Sequence, residues 1–178
     1  MKKIYSFLLL GMAMGMPSGS MAQELSGVSI YINPGHGGFD SDDRNVAIYP
    51  FDKGDPKGFW ESQSNLDKGF HLRDLLQERG AKVFMSRTQN RTEDDLSLSK
   101  IVAMANASDA DFMLSIHSNA GVTSNMVLQL YAGKDPDDAH IYPTPTPYSE
   151  EGRAICTVMA QYLYSNEANV WGNRYSVR

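Results

Sequence analysis

The sequence predicts an α/β fold, a single domain with a mostly parallel central sheet and helices on both faces. Short runs of β-branched and apolar residues, bounded by turn residues, alternate along the chain with longer segments of helical periodicity. Such alternation is typical of parallel strands joined by crossover helices. The length of 178 residues suits one domain with a hydrophobic core, and a second domain is not expected.

The first predicted elements are a buried strand and a long helix. Residues 28–34 form a short apolar run that ends in a glycine-rich turn, which indicates the strand. The helix is predicted over 60–79, with Gly80 where a C-terminal cap belongs. Its apolar residues recur at helical spacing and are Leu66, Phe70, Leu72, Leu75 and Leu76.

The rest of the chain continues the alternation. Strands are predicted over 82–87, 111–117 and 126–131. A helix ending near residue 108 would be capped by Asp94, Asp95 or Ser97, and would pack through Leu98, Ile101, Val102 and Ala105. Four prolines between residues 135 and 148 predict an exposed loop. A last helix begins at Ser149, and no further strand is predicted beyond Asn166. Its packing face would contain Ile155, Val158, Met159, Tyr162 and Leu163.

Residues 1–22 have the pattern of a secretory signal peptide. Lys2 and Lys3 precede an apolar stretch that reaches about residue 16, and Ser20 and Ala22 supply small side chains near a cleavage point. The apolar stretch is shorter than the roughly 20 residues that a membrane span needs, as is each later apolar segment. We therefore expect an exported protein whose mature chain comprises residues 23–178.

The charge of that mature chain excludes one class of partner. Without Lys2 and Lys3, 14 basic residues face 21 acidic ones, which gives a formal charge of −7. Binding of nucleic acid depends on Lys and Arg that neutralise phosphates, so no nucleic-acid partner is expected. The single cysteine, Cys156, cannot form an internal disulfide and is predicted to be a buried helix residue.

Two histidines follow predicted strands in similar settings. His36 lies in the turn that closes the run at 28–34, and His117 closes the run at 111–117. The carboxyl ends of parallel strands meet at one edge of the sheet, where ligand sites form. Imidazole is the commonest metal ligand among side chains, and two histidines with a carboxylate leave zinc one open position for water. The sequence therefore predicts a metal site at this edge.

The third ligand is expected to be a carboxylate between Gly38 and Leu66. Spacing alone does not choose among the six candidates. Glu61 is preferred because it lies at the start of a helix, from which its side chain can reach back over the strand ends. The aspartates lie in a Gly-, Asp- and Pro-rich loop that is expected to be solvated. The candidates are Asp40, Asp42, Asp43, Asp52, Asp55 and Glu61.

These motifs resemble those of the zinc-dependent N-acetylmuramoyl-L-alanine amidases that cleave peptidoglycan, the type 3 amidase domain. Residues 33–38 (NPGHGG) are similar to the first ligand motif of that family, and residues 115–120 (SIHSNA) to its third. Glu61, with Asn65 and Leu66 following it, is similar to the second. The resemblance covers roughly residues 28–163.

The resemblance implies hydrolysis of the amide bond between N-acetylmuramic acid and L-alanine. Zinc held by His36, Glu61 and His117 would activate the attacking water. Four further residues would contact substrate or orient the ligands, namely Gly37, Gly38, Ser118 and Asn119. The implied partner is peptidoglycan in the periplasm or cell envelope, or outside the cell, with no stable membrane span after signal cleavage.

The sequence departs from the family pattern at three points. The loop between His36 and Glu61 is longer than expected, and Ile101 lies where many members carry an arginine at the surface. The catalytic glutamate of the family lies on a late strand, and no counterpart precedes Arg178. We therefore expect residues 23–178 to be the N-terminal part of a zinc amidase domain, lacking its C-terminal elements. This stretch should be poorly active alone, since losing a general base lowers rates about 10²- to 10⁴-fold.

Two other functions compete with the amidase interpretation. A catalytically inactive peptidoglycan-binding module could retain the zinc-site fold without the glutamate. A zinc carboxypeptidase is a weaker third, because its motif spacing would not include two histidines at neighbouring strand ends.

Overall fold

The computed structural model describes residues 24–39, 45–118, 127–129, 149–171 and 175–177. The described chain falls into two compact units, one ending at His117 and one beginning at Ser118, and each is described by itself. The predicted signal peptide, the proline-rich loop at 135–148 and Asn119 lie outside the described residues.

The first unit is built on a three-stranded parallel sheet of β1 (Ser29–Pro34), β4 (Lys82–Met85) and β5 (Phe112–Ile116). The strand order in this sheet is β4-β1-β5. The central strand β1 is buried continuously from Ile30 to Pro34, as expected of a parallel strand that is covered on both faces. All three predicted strands are confirmed, although β4 ends two residues before the predicted limit because Arg87 turns towards the loop after β1.

Helix α1 (Glu61–Glu78) packs on this sheet and confirms the predicted helix. Leu72 and Leu76 pack against Ile30 and Ile32, the buried centre of the core. The predicted apolar face is only partly right, because Leu75 is exposed and the first half of the helix buries mainly polar or small residues. These are Glu61, Ser62, Asn65 and Gly69.

Helix α2 comprises Leu98–Ala107, and its N-cap is Ser97, one of the three residues predicted as candidates for that position. The Ser97 hydroxyl accepts a hydrogen bond from the backbone N–H of Lys100 at 3.4 Å. The predicted apolar stripe is wrong in part, because Leu98 and Val102 are exposed. Ile101 is buried, so the isoleucine that stands here in place of the family's arginine does not lie at the surface, as was expected.

The segment before α1 is more ordered than predicted. It contains a short antiparallel hairpin, β2 (Asn45–Val46) with β3 (Phe59–Trp60), where a solvated loop was expected. Trp60 accounts for the difference. Its ring is buried and its Nε1 donates to the backbone oxygen of Asp55 at 2.8 Å, which ties the loop to the start of α1.

The second unit contains helix α3 (Ser149–Trp171) and two parallel strands, β6 (Val127–Gln129) and β7 (Tyr175–Val177). The fourth predicted strand and the last predicted helix are confirmed. The expectation of no strand beyond Asn166 is wrong, because a strand of three residues is too short for an alternating pattern. The predicted packing face of α3 is wrong in part, since Ile155, Val158 and Tyr162 are exposed.

Within the described ranges, none of the helices combines the length and the apolar character that crossing a membrane would require.

Candidate metal centre

The two predicted histidines meet at the carboxyl edge of the sheet because β1 and β5 are parallel neighbours. Pro34 pairs with Ile116 at the end of the ladder, and the N–H of Gly35 donates to the Ile116 oxygen at 2.9 Å. The chain then carries His36 and His117 beyond the sheet. Their ring centroids lie 4.9 Å apart in an edge-to-face arrangement.

The approach of these rings depends on backbone features of the loop after β1. A Cβ added to Gly35 would lie 2.1 Å from Cε1 of His117, so only glycine fits beneath that ring. His36 has φ 61°, a left-handed conformation that is rare for a residue with a side chain. Such strain is concentrated at functional sites, where the surrounding structure maintains it.

Glu61 completes the cluster from the first turn of α1. Its side chain is buried, and its Oε1 lies 3.6 Å from Nε2 of His36 and 3.4 Å from Nδ1 of His117. One ligand atom from each residue lies within 4.8 Å of those from the other two. Asn65, one helical turn further on, donates from Nδ2 to the same oxygen of Glu61 at 3.4 Å.

The donor set fits a zinc ion. Tetrahedral ligands at about 2.0–2.1 Å from zinc lie about 3.4 Å from each other, close to the separations between Glu61 and the two histidines. Two imidazoles and one carboxylate are also a ligand set that leaves a position for water. The Glu61 carboxylate that would bind the ion is almost fully buried.

The residues predicted to contact substrate or orient the ligands are Gly37, Gly38 and Ser118 within the described ranges, and each has its own surroundings. Gly38 N–H donates to Asn90 Oδ1 at 2.9 Å, and its carbonyl accepts from Ser62 Oγ at 2.7 Å. A Cβ on Gly37 would lie 2.4 Å from the backbone nitrogen of Asp95, so Gly37 permits close packing of the 3₁₀ turn at Thr92–Asp94. Ser118 is half-buried.

The aspartate candidates do not join the cluster as far as the structure describes them. Asp55 Oδ1 accepts from the backbone N–H of Lys57 at 2.8 Å within its own turn. The metal-ligand cluster found among the described residues contains His36, Glu61 and His117, and neither Asp55 nor Asp52 belongs to it. Asp40, Asp42 and Asp43 lie outside the described residues.

A polar layer that was not predicted as part of the site links the strand ends that precede the two histidines. Asn33 Nδ2 donates to Ser115 Oγ at 2.9 Å, and Ser86 Oγ donates to Asn33 Oδ1 at 2.7 Å, which links the ends of β1, β5 and β4. Arg87, also buried, follows β4 and donates to Pro34 O and Gly35 O. The strand-end argument that found the histidines, applied to β4, would have indicated Ser86 and Arg87 as well.

Comparisons with known proteins identify the family. The family model of N-acetylmuramoyl-L-alanine amidase (Amidase_3) matches residues 30–169. Uncharacterized protein YqiI of Bacillus subtilis (strain 168) is 34% identical over 131 residues, covering 73% of this chain and 57% of YqiI. N-acetylmuramoyl-L-alanine amidase CwlM of Bacillus licheniformis is 33% identical over 108 residues, covering 60% of this chain and 37% of CwlM. The chain thus spans about half or less of these relatives' lengths.

A solved structure supports the fold independently. N-acetylmuramoyl-L-alanine amidase AmiC2 of Nostoc punctiforme matches with a TM-score of 0.55 at 18% identity, covering 86% of this chain and 71% of AmiC2. The predicted α/β domain, with its parallel sheet flanked by helices, is confirmed by this likeness. The chain belongs to the N-acetylmuramoyl-L-alanine amidase family, Amidase_3.

Proposed function

We propose that the protein hydrolyses the amide bond between N-acetylmuramic acid and L-alanine in peptidoglycan, using zinc held by His36, Glu61 and His117. The observation that carries this proposal is the convergence of one carboxylate oxygen and two imidazole nitrogens at neighbouring strand ends. Family membership and the relative named as an amidase support the reaction class.

When bound, zinc supplies a Lewis acid that polarises a carbonyl and lowers the pKa of a water molecule. His36 and His117 would bind it through ring nitrogens, and Glu61 through Oε1. The side chain of Glu61 is 4% exposed, whereas those of His36 and His117 are 30% and 47% exposed. Substrate would therefore approach on the histidine side, while Glu61 holds the ion from the protein side. No residue is assigned to proton transfer.

We also propose that the protein acts outside the cytoplasm. The support is the pattern of residues 1–22, where two lysines precede an apolar stretch and a small-residue cleavage point. Peptidoglycan lies in the cell envelope, so export would bring the enzyme to its substrate.

The alternative of an inactive peptidoglycan-binding module is not favoured. A module that only binds would not need the strained His36 backbone, the clearance at Gly35 or the buried Glu61 carboxylate. All three features serve the geometry of the ligand cluster.

The test is digestion of purified sacculi with zinc-loaded protein, followed by analysis of the products. We expect slow release of stem peptides that begin with a free L-alanine amino group, without new reducing ends of sugars, because no residue of this chain is assigned to proton transfer. Zinc content is measured on the same samples because it does not depend on the proton-transfer residue. His36→Ala and His117→Ala should release no peptide and retain little zinc.

His71→Ala is the matched control, since His71 is exposed on α1 and lies outside the ligand cluster. It should behave like the unaltered protein. Peptide release that persists in His36→Ala, or new reducing ends without free alanine amino groups, would refute the proposed reaction.

A further inference from the structure

We propose that Arg87 is a positioning residue that holds the segments carrying His36 and Glu61 in the geometry that the metal requires. The inference rests on the proposed function, since it assigns a role towards the same zinc ion. Arg87 is 5% exposed and lies two residues after the end of β4, on the other side of β1 from β5.

The guanidinium group of Arg87 contacts both ligand-bearing segments. Its Nε donates to Pro34 O at 2.9 Å and its Nη2 to Gly35 O at 3.1 Å, which are the two carbonyls directly before His36. The same Nη2 donates to Ser62 O at 2.7 Å, the residue directly after Glu61. One side chain therefore fixes the distance between the two parts of the chain that supply ligands.

Asn90 extends this arrangement to the other side of His36. Arg87 Nη1 donates to Gln89 O at 2.9 Å and to Asn90 Oδ1 at 3.3 Å. Asn90 Oδ1 also accepts from Gly38 N–H at 2.9 Å, and Asn90 Nδ2 donates to Ser62 Oγ at 3.3 Å. The loop around His36 is thus held at Gly35 and at Gly38, which explains how the left-handed conformation of His36 persists.

Arginine is suited to this role and lysine is not. The planar guanidinium presents five N–H donors in a fixed fork, so it can reach carbonyls of two segments at once. A lysine ammonium would place all its donors on one atom. Groups that orient metal ligands typically contribute a factor of about 10 to 100 in metal affinity. We expect a loss of that size when Arg87 is replaced.

The experiment compares Arg87→Met, Arg87→Lys and Asn90→Ala with the unaltered full chain. Zinc Kd is measured by competition with a chromophoric chelator, and the geometry of the site by the visible spectrum of the Co²⁺-loaded protein. Arg73→Met is the matched control, since Arg73 lies on α1 and pairs with Asp74 at 2.7 Å. Thermal unfolding in a chelator reports whether each metal-free variant is folded.

Folded Arg87 variants should have a zinc Kd raised about 10- to 100-fold and an altered Co²⁺ spectrum, while Arg73→Met changes neither. Asn90→Ala should raise the zinc Kd and alter the Co²⁺ spectrum in the same direction, but less. If the Arg87 variants do not fold, the comparison of Asn90→Ala with the unaltered protein tests the proposal instead. Unchanged zinc Kd and Co²⁺ spectra in folded variants would overturn the proposal, as would unfolding of all three. Failure of the unaltered protein to bind zinc would instead refute the proposed function, and this inference with it.

Discussion

Individual residues around the candidate metal centre are constrained by contact with one another. Gly35 makes room for the ring of His117, and Asn65 donates to the Glu61 oxygen that faces both histidines. Ser62 is completely buried and donates to Gly38 O, so the start of α1 is bound directly to the loop after β1. The ligand cluster is therefore supported by hydrogen bonds and close packing from several sides.

Gly35→Ala should impair zinc binding without preventing folding. The added methyl group would overlap the His117 ring, which must leave its present position in the cluster. We expect zinc affinity to fall by on the order of tenfold or more, as for other displaced ligands. Isothermal titration with zinc measures the change.

Gly54→Ala is the matched control for that substitution. Gly54 has φ +88° and nothing within 4 Å of an added Cβ, so its replacement introduces backbone strain without a collision. It should cost about 1–2 kcal/mol of unfolding free energy and leave zinc affinity unchanged. Equal zinc affinity in both variants would show that the Gly35 contact does not matter.

The two histidines were predicted from sequence because they stand out at strand ends, and Glu61 was preferred because it starts a helix. The same strand-end argument indicates Ser86 and Arg87, but it does not indicate the groups to which they donate. Arg87 donates to three carbonyls that are separated from it by 25 to 53 residues in the chain. Only the folded backbone brings these partners together, so no local pattern reveals them.

At the scale of elements, α1 has two halves with different tasks. Leu72 and Leu76 in its second half pack on the sheet, whereas Glu61 and Asn65 in its first half point into the candidate metal centre. The hydrophobic pattern predicted that this helix exists and located its ends. It could not predict the buried polar face, because burial of Asn65 depends on its hydrogen bonds to Glu61 and Gly35.

The N-cap of α2 gives a prediction about stability. Ser97→Ala removes the acceptor for Lys100 N–H and should lower the unfolding free energy by about 1 kcal/mol. Urea denaturation measures this value. Asn106→Ala, at an exposed position later in the same helix, should be nearly neutral, since alanine is the best helix former. An equal loss in both variants would contradict the assignment of Ser97 as the cap.

The 3₁₀ turn beside Gly37 gives a prediction about pH. Hydrogen bonds from the Arg91 side chain lower the pKa of the Asp94 carboxyl group. Because the pKa is lower in the folded state, this pair stabilises the fold above the unfolded pKa of about 3.9. The contribution is lost as pH falls through the folded pKa. NMR titration should therefore give Asp94 a midpoint below that of an ordinary aspartate.

Arg91→Ala should raise the Asp94 midpoint towards the ordinary value. The difference in unfolding free energy between this variant and the unaltered protein should be constant at neutral pH and diminish below about pH 4. A midpoint that does not move would mean that Arg91 is not the cause of the shift.

At the scale of the whole molecule, the α/β class and the parallel sheet followed from the alternation of strand and helix patterns. The errors concern elements whose patterns are short. The β2–β3 hairpin has strands of two residues and β7 has three, too few for an alternating pattern to be recognised. Formation of the β2–β3 hairpin depends on tertiary contacts such as the burial of the Trp60 ring, which the sequence does not reveal.

We expect His36, Glu61 and His117 together to bind one zinc ion. The most direct measurement is zinc stoichiometry by equilibrium dialysis and elemental analysis, on the unaltered protein, on Glu61→Gln and on the two histidine-to-alanine variants. We predict about one zinc ion per chain in the unaltered protein, with affinity lost or strongly reduced in each variant, since removing one of three protein ligands opens the site. Two results would show that these three residues do not form a zinc site. One is stoichiometric zinc retained at unchanged affinity in all three variants, and the other is the absence of zinc from the unaltered protein.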